Sequence, residues 1–210
     1  EIEKVDGVRL LDVDPGKATN RTVVTFVGHP KAVIEAAFQA IKKASELIDM
    51  SKHSGEHPRM GATDVCPLIP ISGITMEETA AYAHELGKRV GESLQIPVFM
   101  YEAAATSPDR QNLAIIRAGE YEGMATKLKD PKWHPDYGTN IFNERAGATV
   151  IGARDFLVAY NVNLNTTSVR RANSVAFDVR ENGRIKTDAN GKNVLDASGD
   201  PIRIPGACKS

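Results

Sequence analysis

Cysteine is scarce: Cys66 and Cys208 are the only two in 210 residues. That count supports no disulfide framework, and no C-x-x-C pair offers a zinc or redox site. A reducing cytoplasm is the compartment expected. Long apolar runs are lacking too; none approaches the roughly 18–20 residues needed to span a bilayer. The opening Glu1-Ile2-Glu3-Lys4 has no apolar signal region, and because the chain does not begin with Met, a natural beginning upstream is expected. Charge of one sign is not in excess. The formal net charge is -1 and the pI about 6.6. No global field therefore attracts nucleic acid or an anionic membrane, and an anionic substrate must be held by local arginines. Internal repeats and low-complexity tracts are absent.

What is present is the ordinary mix of a globular protein, 41% hydrophobic and 25% charged. The length suits one large domain or two small ones. Residues 8–14 and 23–27 read as strands paired around the polar loop 17–21. Residues 31–49 read as a helix, with Ile34, Phe38, Ile41 and Ile48 on one face and Pro30 suited to its first turn. Residues 51–63 break all periodicity. An apolar strand over 64–71 carries Pro67 and Pro70, which restrict it to an edge or to irregular pairing. Thr75 and Glu78 fit a capping box that opens a helix of about five turns. A strand over 96–101 and a short helix over 111–117 follow. Residues 119–147 read as a long irregular segment, the kind of loop that tends to be functional or disordered. An alternating strand is expected over 156–164, then a helix over 167–179, then a polar tail with little to bury. Strands and helices alternate, so the fold class is α/β, a sheet covered by helices.

The densest chemical segment is His53-Ser54-Gly55-Glu56-His57-Pro58-Arg59-Met60-Gly61. An imidazole that titrates near neutral pH sits there beside an acid, a guanidinium and glycines that let a ligand approach. Most surface histidines are merely solvated, and composition alone leaves the two readings balanced. His53 and His57 are four apart, as in a helical zinc pair, but Gly55 and Pro58 break such a helix, so no metal is expected. Asp12 and Asp14 end the first strand and either point into a cleft or simply form a turn. Arg21 follows closely in sequence.

These runs carry a resemblance. Leu11-Asp12-Val13-Asp14-Pro15-Gly16, Thr19-Asn20-Arg21-Thr22 and Gly55-Glu56-His57-Pro58-Arg59-Met60-Gly61 resemble the glutamate formiminotransferase family. Asp64-Val65-Cys66-Pro67, Arg117-Ala118-Gly119-Glu120-Tyr121-Glu122 and Gly147-Ala148-Thr149-Val150 extend the likeness, which covers residues 8 to about 183. The resemblance implies transfer of the formimino group of N-formimino-L-glutamate to tetrahydrofolate as co-substrate, a step of histidine degradation. It implies His57 as the catalytic histidine and Asp14 as its acidic partner. It places folate contacts on Gly138, Thr139, Asn140, Ile141, Phe142, Asn143, Glu144, Arg145, Ala146 and Gly147. It also implies two ferredoxin-like α/β subdomains, residues 1–153 and a truncated second one from 154, with the substrates in a cleft between them. A homodimer is expected, with a cyclodeaminase as a partner acting next. The chain departs from the family in lacking a P-N-x-S-E-G strand before Glu1, in stopping short of a full second subdomain, and in details of 139–146.

The chemistry needs a proton removed from the incoming pterin nitrogen and another delivered to the departing glutamate nitrogen. One imidazole between them can do both. Asp14 would fix its tautomer, and Arg59 and Arg21 would clamp carboxylates. Structural ion pairing is an equal alternative for both arginines. A folate-binding remnant, an N-formylglutamate-using relative and a non-enzymatic α/β module stand as rivals.

Overall fold

The structure, a computed structural model, describes residues 1–157 and 162–207. They fall in two units, Glu1–Leu157 and Val158–Ser210.

In the first unit, β1 (Val8–Gly16) and β2 (Arg21–Gly28) form an antiparallel hairpin. Its register sets Asp14 opposite Val23 and Gly16 opposite Arg21. Asn20 closes the turn with φ 49°, a left-handed conformation that Asn tolerates better than most residues. Helix α1 (Pro30–Leu47) starts on Pro30 and buries Ile34, Phe38 and Ile41. Helix α2 (Met76–Leu94) opens on the expected capping box: the Thr75 hydroxyl accepts from the Glu78 amide, and the Glu78 carboxylate accepts from the Thr75 amide.

The sheet is three parallel strands in the order β3 (Val65–Leu68), β5 (Thr149–Ala153), β4 (Val98–Glu102). Pro67 lies on an edge strand, where a missing N–H is tolerated. The central strand β5 is a correction to the sequence reading, which saw no strand there. All five of its residues are buried, so it has no polar alternation to detect. Helix α4 (Glu120–Lys127) is a second correction, an ordered element inside the segment read as irregular. The expected helix over 111–117 is the shorter α3 (Leu113–Arg117).

Alternation along the strands divides the core in two. Leu68, Val98, Met100 and Ile151 pack with α1 and α2 on one face. Phe99, Tyr101 and Val150 pack with Met60, Ile116 of α3, Met124 of α4 and Leu128 just past its end on the other. Strands β3 and β5 run side by side in the same direction. The segments that lead into them, residues 51–64 and 138–148, therefore meet at one end of the sheet, joined by a bridge between Gly61 and Gly147.

In the second unit, α5 (Val169–Val179) is capped by the Ser168 side chain. The expected strand over 156–164 falls in part on residues 158–161, which lie outside the described residues. The tail read as merely polar contains β6 (Arg184–Ile185) paired with β7 (Arg203–Ile204). Asp188 and Asp196 each accept two downstream amides, which builds local turns. Among the described residues no helix is long and apolar enough to cross a membrane.

Candidate active site

The His57 loop hangs between two buried methionines, Met50 and Met60. Its base is braced by the stretch before β5. The Met50 amide donates to the Arg145 carbonyl at 2.9 Å, the Ala62 amide to Ala146 at 2.8 Å, and the Ala148 amide to Met60 at 3.0 Å. Gly147, at φ 69°, is required there because a Cβ would sit 2.2 Å from the Met60 carbonyl. Asp64 accepts the Met60 amide at 2.9 Å and pairs with Arg117 through its other oxygen. At the loop's entry Asp49 is held down to about 2 by hydrogen bonds from Ser51 and Lys52.

The tip of the hairpin reaches over this loop. A Cβ at Gly55 would lie 2.7 Å from the Thr19 carbonyl, so only glycine lets the two backbones meet. The Asn20 amide donates to the Ser54 carbonyl at 2.8 Å and lies 3.3 Å from Nδ1 of His53. Arg21 places a guanidinium nitrogen 2.6 Å from Nε2 of His57, while Nδ1 of the same ring lies 2.7 Å from the Pro58 carbonyl. A carbonyl only accepts and a guanidinium only donates. The partners therefore assign the proton to Nδ1 and a lone pair to Nε2, the neutral form able to take up a proton.

Arg59 is turned the other way. Its two terminal nitrogens fork onto Glu122 at 3.1 and 2.6 Å, one reaches Glu120 at 3.2 Å, and one donates to the His53 carbonyl at 3.0 Å. Its Nε is buried with no hydrogen-bond partner, so all its side-chain hydrogen bonds come from the terminal nitrogens, and the guanidinium lies 6.0 Å from the centre of the Tyr121 ring. The fork holds the Glu122 carboxyl below the usual range and pushes the Arg59 guanidinium up. A cavity of about 420 Å³ lies here, lined by Ser54, Gly55, Arg59, Gly119, Glu120 and Glu122. That is within the size range of small-ligand sites.

The sequence-selected residues fall as follows. His57 and Arg21 are brought together. Asp14 is exposed on β1, and the pairing register puts it on the hairpin face that carries Arg21. Among the described residues no hydrogen bond reaches its carboxylate, and the ring nitrogen meant for it is occupied by the Pro58 carbonyl. Arg59 spends its fork on glutamates of its own chain.

Within 138–147, several side chains serve the backbone. Thr139 accepts the Ile141 amide, Asn143 accepts the Ala146 amide, and Arg145 donates to the Ser45 and Glu46 carbonyls at the end of α1. Gly138 (φ 84°) packs where a Cβ would meet the Ile96 carbonyl at 2.4 Å. Ala146 and Gly147 are buried, Phe142 is half-buried, and Asn140, Ile141 and Glu144 are exposed.

The residues that sequence reasoning missed are Tyr121 and Glu122, at the start of α4. The Tyr121 amide donates to the Arg59 carbonyl at 2.9 Å, its hydroxyl donates to the Glu144 carbonyl at 2.6 Å, and its ring packs on Phe142. Tyr121 thus joins the His57 loop to the 138–147 stretch. The Arg117–Glu122 run was visible as a likeness, but nothing local in it points to Arg59, more than 60 residues earlier in the chain.

The loop thus presents a proton-accepting imidazole to the Arg21 guanidinium, and its other side lines the cavity through Ser54, Gly55 and Arg59. Residues 1–154 match the family described as "Formiminotransferase domain, N-terminal subdomain", and residues 159–210 match "Formiminotransferase domain". The chain belongs to the formiminotransferase-domain family. It is 54% identical over 185 residues to the formimidoyltransferase-cyclodeaminase of Mus musculus, covering 88% of this chain and 34% of that protein. It is 49% identical over 181 residues to the glutamate formimidoyltransferase of Streptococcus pyogenes serotype M1, covering 86% and 60%. The corresponding protein of Thermoplasma acidophilum is 48% identical, covering 85% and 59%. The chain thus spans about a third of the length of the first relative and three fifths of the other two.

Proposed function

We propose that this chain is the formimino-transferring part of a cytoplasmic glutamate formimidoyltransferase. Its substrates are N-formimino-L-glutamate and tetrahydrofolate, and its step belongs to histidine degradation. The names of the relatives and the family match support the reaction class. The observation that carries the residue assignment is the His57 ring, neutral by its partners, with the Nε2 lone pair presented to a guanidinium.

Arg21 is the substrate-responsive part of this reading. Its nitrogen caps the His57 lone pair while the site is at rest. A substrate carboxylate offers the fork two oxygens instead of one ring nitrogen, the stronger partner for a guanidinium. Drawn to the carboxylate, Arg21 releases Nε2 to take the proton of the attacking pterin nitrogen as the C–N bond forms. The same Nε2–H then protonates the glutamate nitrogen as its bond to the former formimino carbon breaks. Asp14, on the hairpin face of Arg21, favours the imidazolium that exists between these two steps. Exposed Asn140, Ile141 and Glu144 are the part of the 138–147 stretch free to touch folate.

Proton transfer of this kind is worth about 10²–10⁴ in rate. His57→Ala is expected to leave folding and folate binding nearly intact and to slow transfer by about a hundredfold or more. A variant that keeps the parent's transfer rate removes His57 from the role. Parallel assays with N-formyl-L-glutamate separate a formyl-using relative from the proposed donor.

A further inference from the structure

We infer that Glu122 is a positioning residue for His57, acting through the Arg59 guanidinium and the Pro58 carbonyl; the kinetic half of this inference rests on the proton-transfer reading of His57.

The His57 tautomer depends on one backbone oxygen, that of Pro58, 2.7 Å from Nδ1. The orientation of this carbonyl depends on the next residue, because the Pro58–Arg59 peptide is a rigid plane. Arg59 is tied on both sides of that plane. Its carbonyl accepts from the Tyr121 amide, and its guanidinium is gripped by Glu122, with Glu120 adding a third contact. The guanidinium also donates back to the His53 carbonyl, which closes residues 53–59 into a ring with His57 inside. Loss of the Glu122 fork frees the guanidinium, opens that ring and lets the Pro58 carbonyl swing off Nδ1. The Nε2–H tautomer then competes, and it offers no lone pair where Arg21 and substrate meet.

Folding makes little demand on Glu122. Its side chain is 66% exposed, and α4 is held to the core by Met124 and Leu128. The Glu122 end of the pair faces water, although Arg59 itself is only 17% exposed. Glu120 points the same way: it is a non-glycine residue at φ 52°, an uncommon backbone, and its carboxylate reaches the same guanidinium. Two acids of one helical turn thus converge on the Arg59 guanidinium.

The test compares the parent protein with Glu122→Gln and Glu122→Asp. Long-range ¹H–¹⁵N spectra of the histidine rings read the His57 tautomer without any turnover. The parent is expected to show the Nδ1–H form. Glu122→Gln should mix in the Nε2–H form, lower kcat by about 10- to 100-fold, and leave KM within about threefold. Its Tm should stay within about 2 °C of the parent. Glu122→Asp should recover most of both the ring signature and kcat. An unchanged ring spectrum in Glu122→Gln overturns the inference, and so does a kcat loss that tracks a falling Tm. A parent without transfer activity would overturn the functional reading instead, while the ring spectra still decide the role of Glu122.

Discussion

Asp136 lies in the stretch that read as irregular, yet one carboxylate there holds three things. It accepts the Met100 amide on the free edge of β4 at 2.8 Å, accepts the Thr106 hydroxyl at 2.5 Å, and pairs with Arg110 at 2.6 Å. The two charged side chains are only 10% and 7% exposed. Arg110 in turn donates to the Lys132 and His134 carbonyls, so the pair also fixes the return of the chain toward Tyr137. Removal of one member strands the other charge in the interior. Asp136→Ala is expected to cost about 3–5 kcal/mol, read as a lower urea midpoint at unchanged slope. Lys127 is the milder case: burial pushes its ammonium down to about 8, while the carbonyls of Ile115, Ile116 and Ala118 accept hydrogen bonds from it. At this scale the sequence marks which residues are chemical. It does not mark their partners, since an Arg next to a His looks the same whether it faces substrate or Glu122.

Elements differ in how local their causes are. Helix α2 is written in its own nineteen residues and the cap before them: Thr75 and Glu78 at its start, then Ala83, Leu86 and Val90 on the buried face. Thr75→Ala is expected to cost about 1 kcal/mol, because it leaves the Glu78 amide without its cap; thermal unfolding followed by circular dichroism checks it. The hairpin is local in the same way and was legible from its two strands and polar turn. Strand β5 is not. Thr149–Ala153 is strand only because β3 and β4 lie on either side to pair with it, and its burial on both faces erases the alternation that marks an isolated strand. Helix α4 is similarly tertiary. It spans eight residues, two of them early glutamates and one Gly123, and its place is set by Met124 and Leu128 entering the core. An eight-residue helix has little stability of its own.

For the whole molecule, near-neutral charge has a kinetic consequence. With a net charge of -1 there is no long-range field to steer an anionic donor. On the proposed function, recognition of the donor by this chain rests on close contacts with Arg21 and its neighbours, which salt screens less than distant charges. Raising salt from about 0.05 M to about 0.2 M is expected to change kcat/KM for the formimino donor by less than about threefold, measured by initial rates. A fall of tenfold or more would point instead to steering by a surface patch.

The sequence by itself determined the mixed α/β class, the capped helix, the hairpin and the glycine-flanked His57 loop. Each of these follows from residues within a few turns of one another, where sterics, capping and periodicity act. The tertiary structure alone decided that β5 is the centre of the sheet, that the Pro58 carbonyl rather than Asp14 meets Nδ1 of His57, and that Arg59 belongs to Glu122. Those outcomes depend on groups brought together from distant parts of the chain, and packing of the core, not local preference, sets which of them meet.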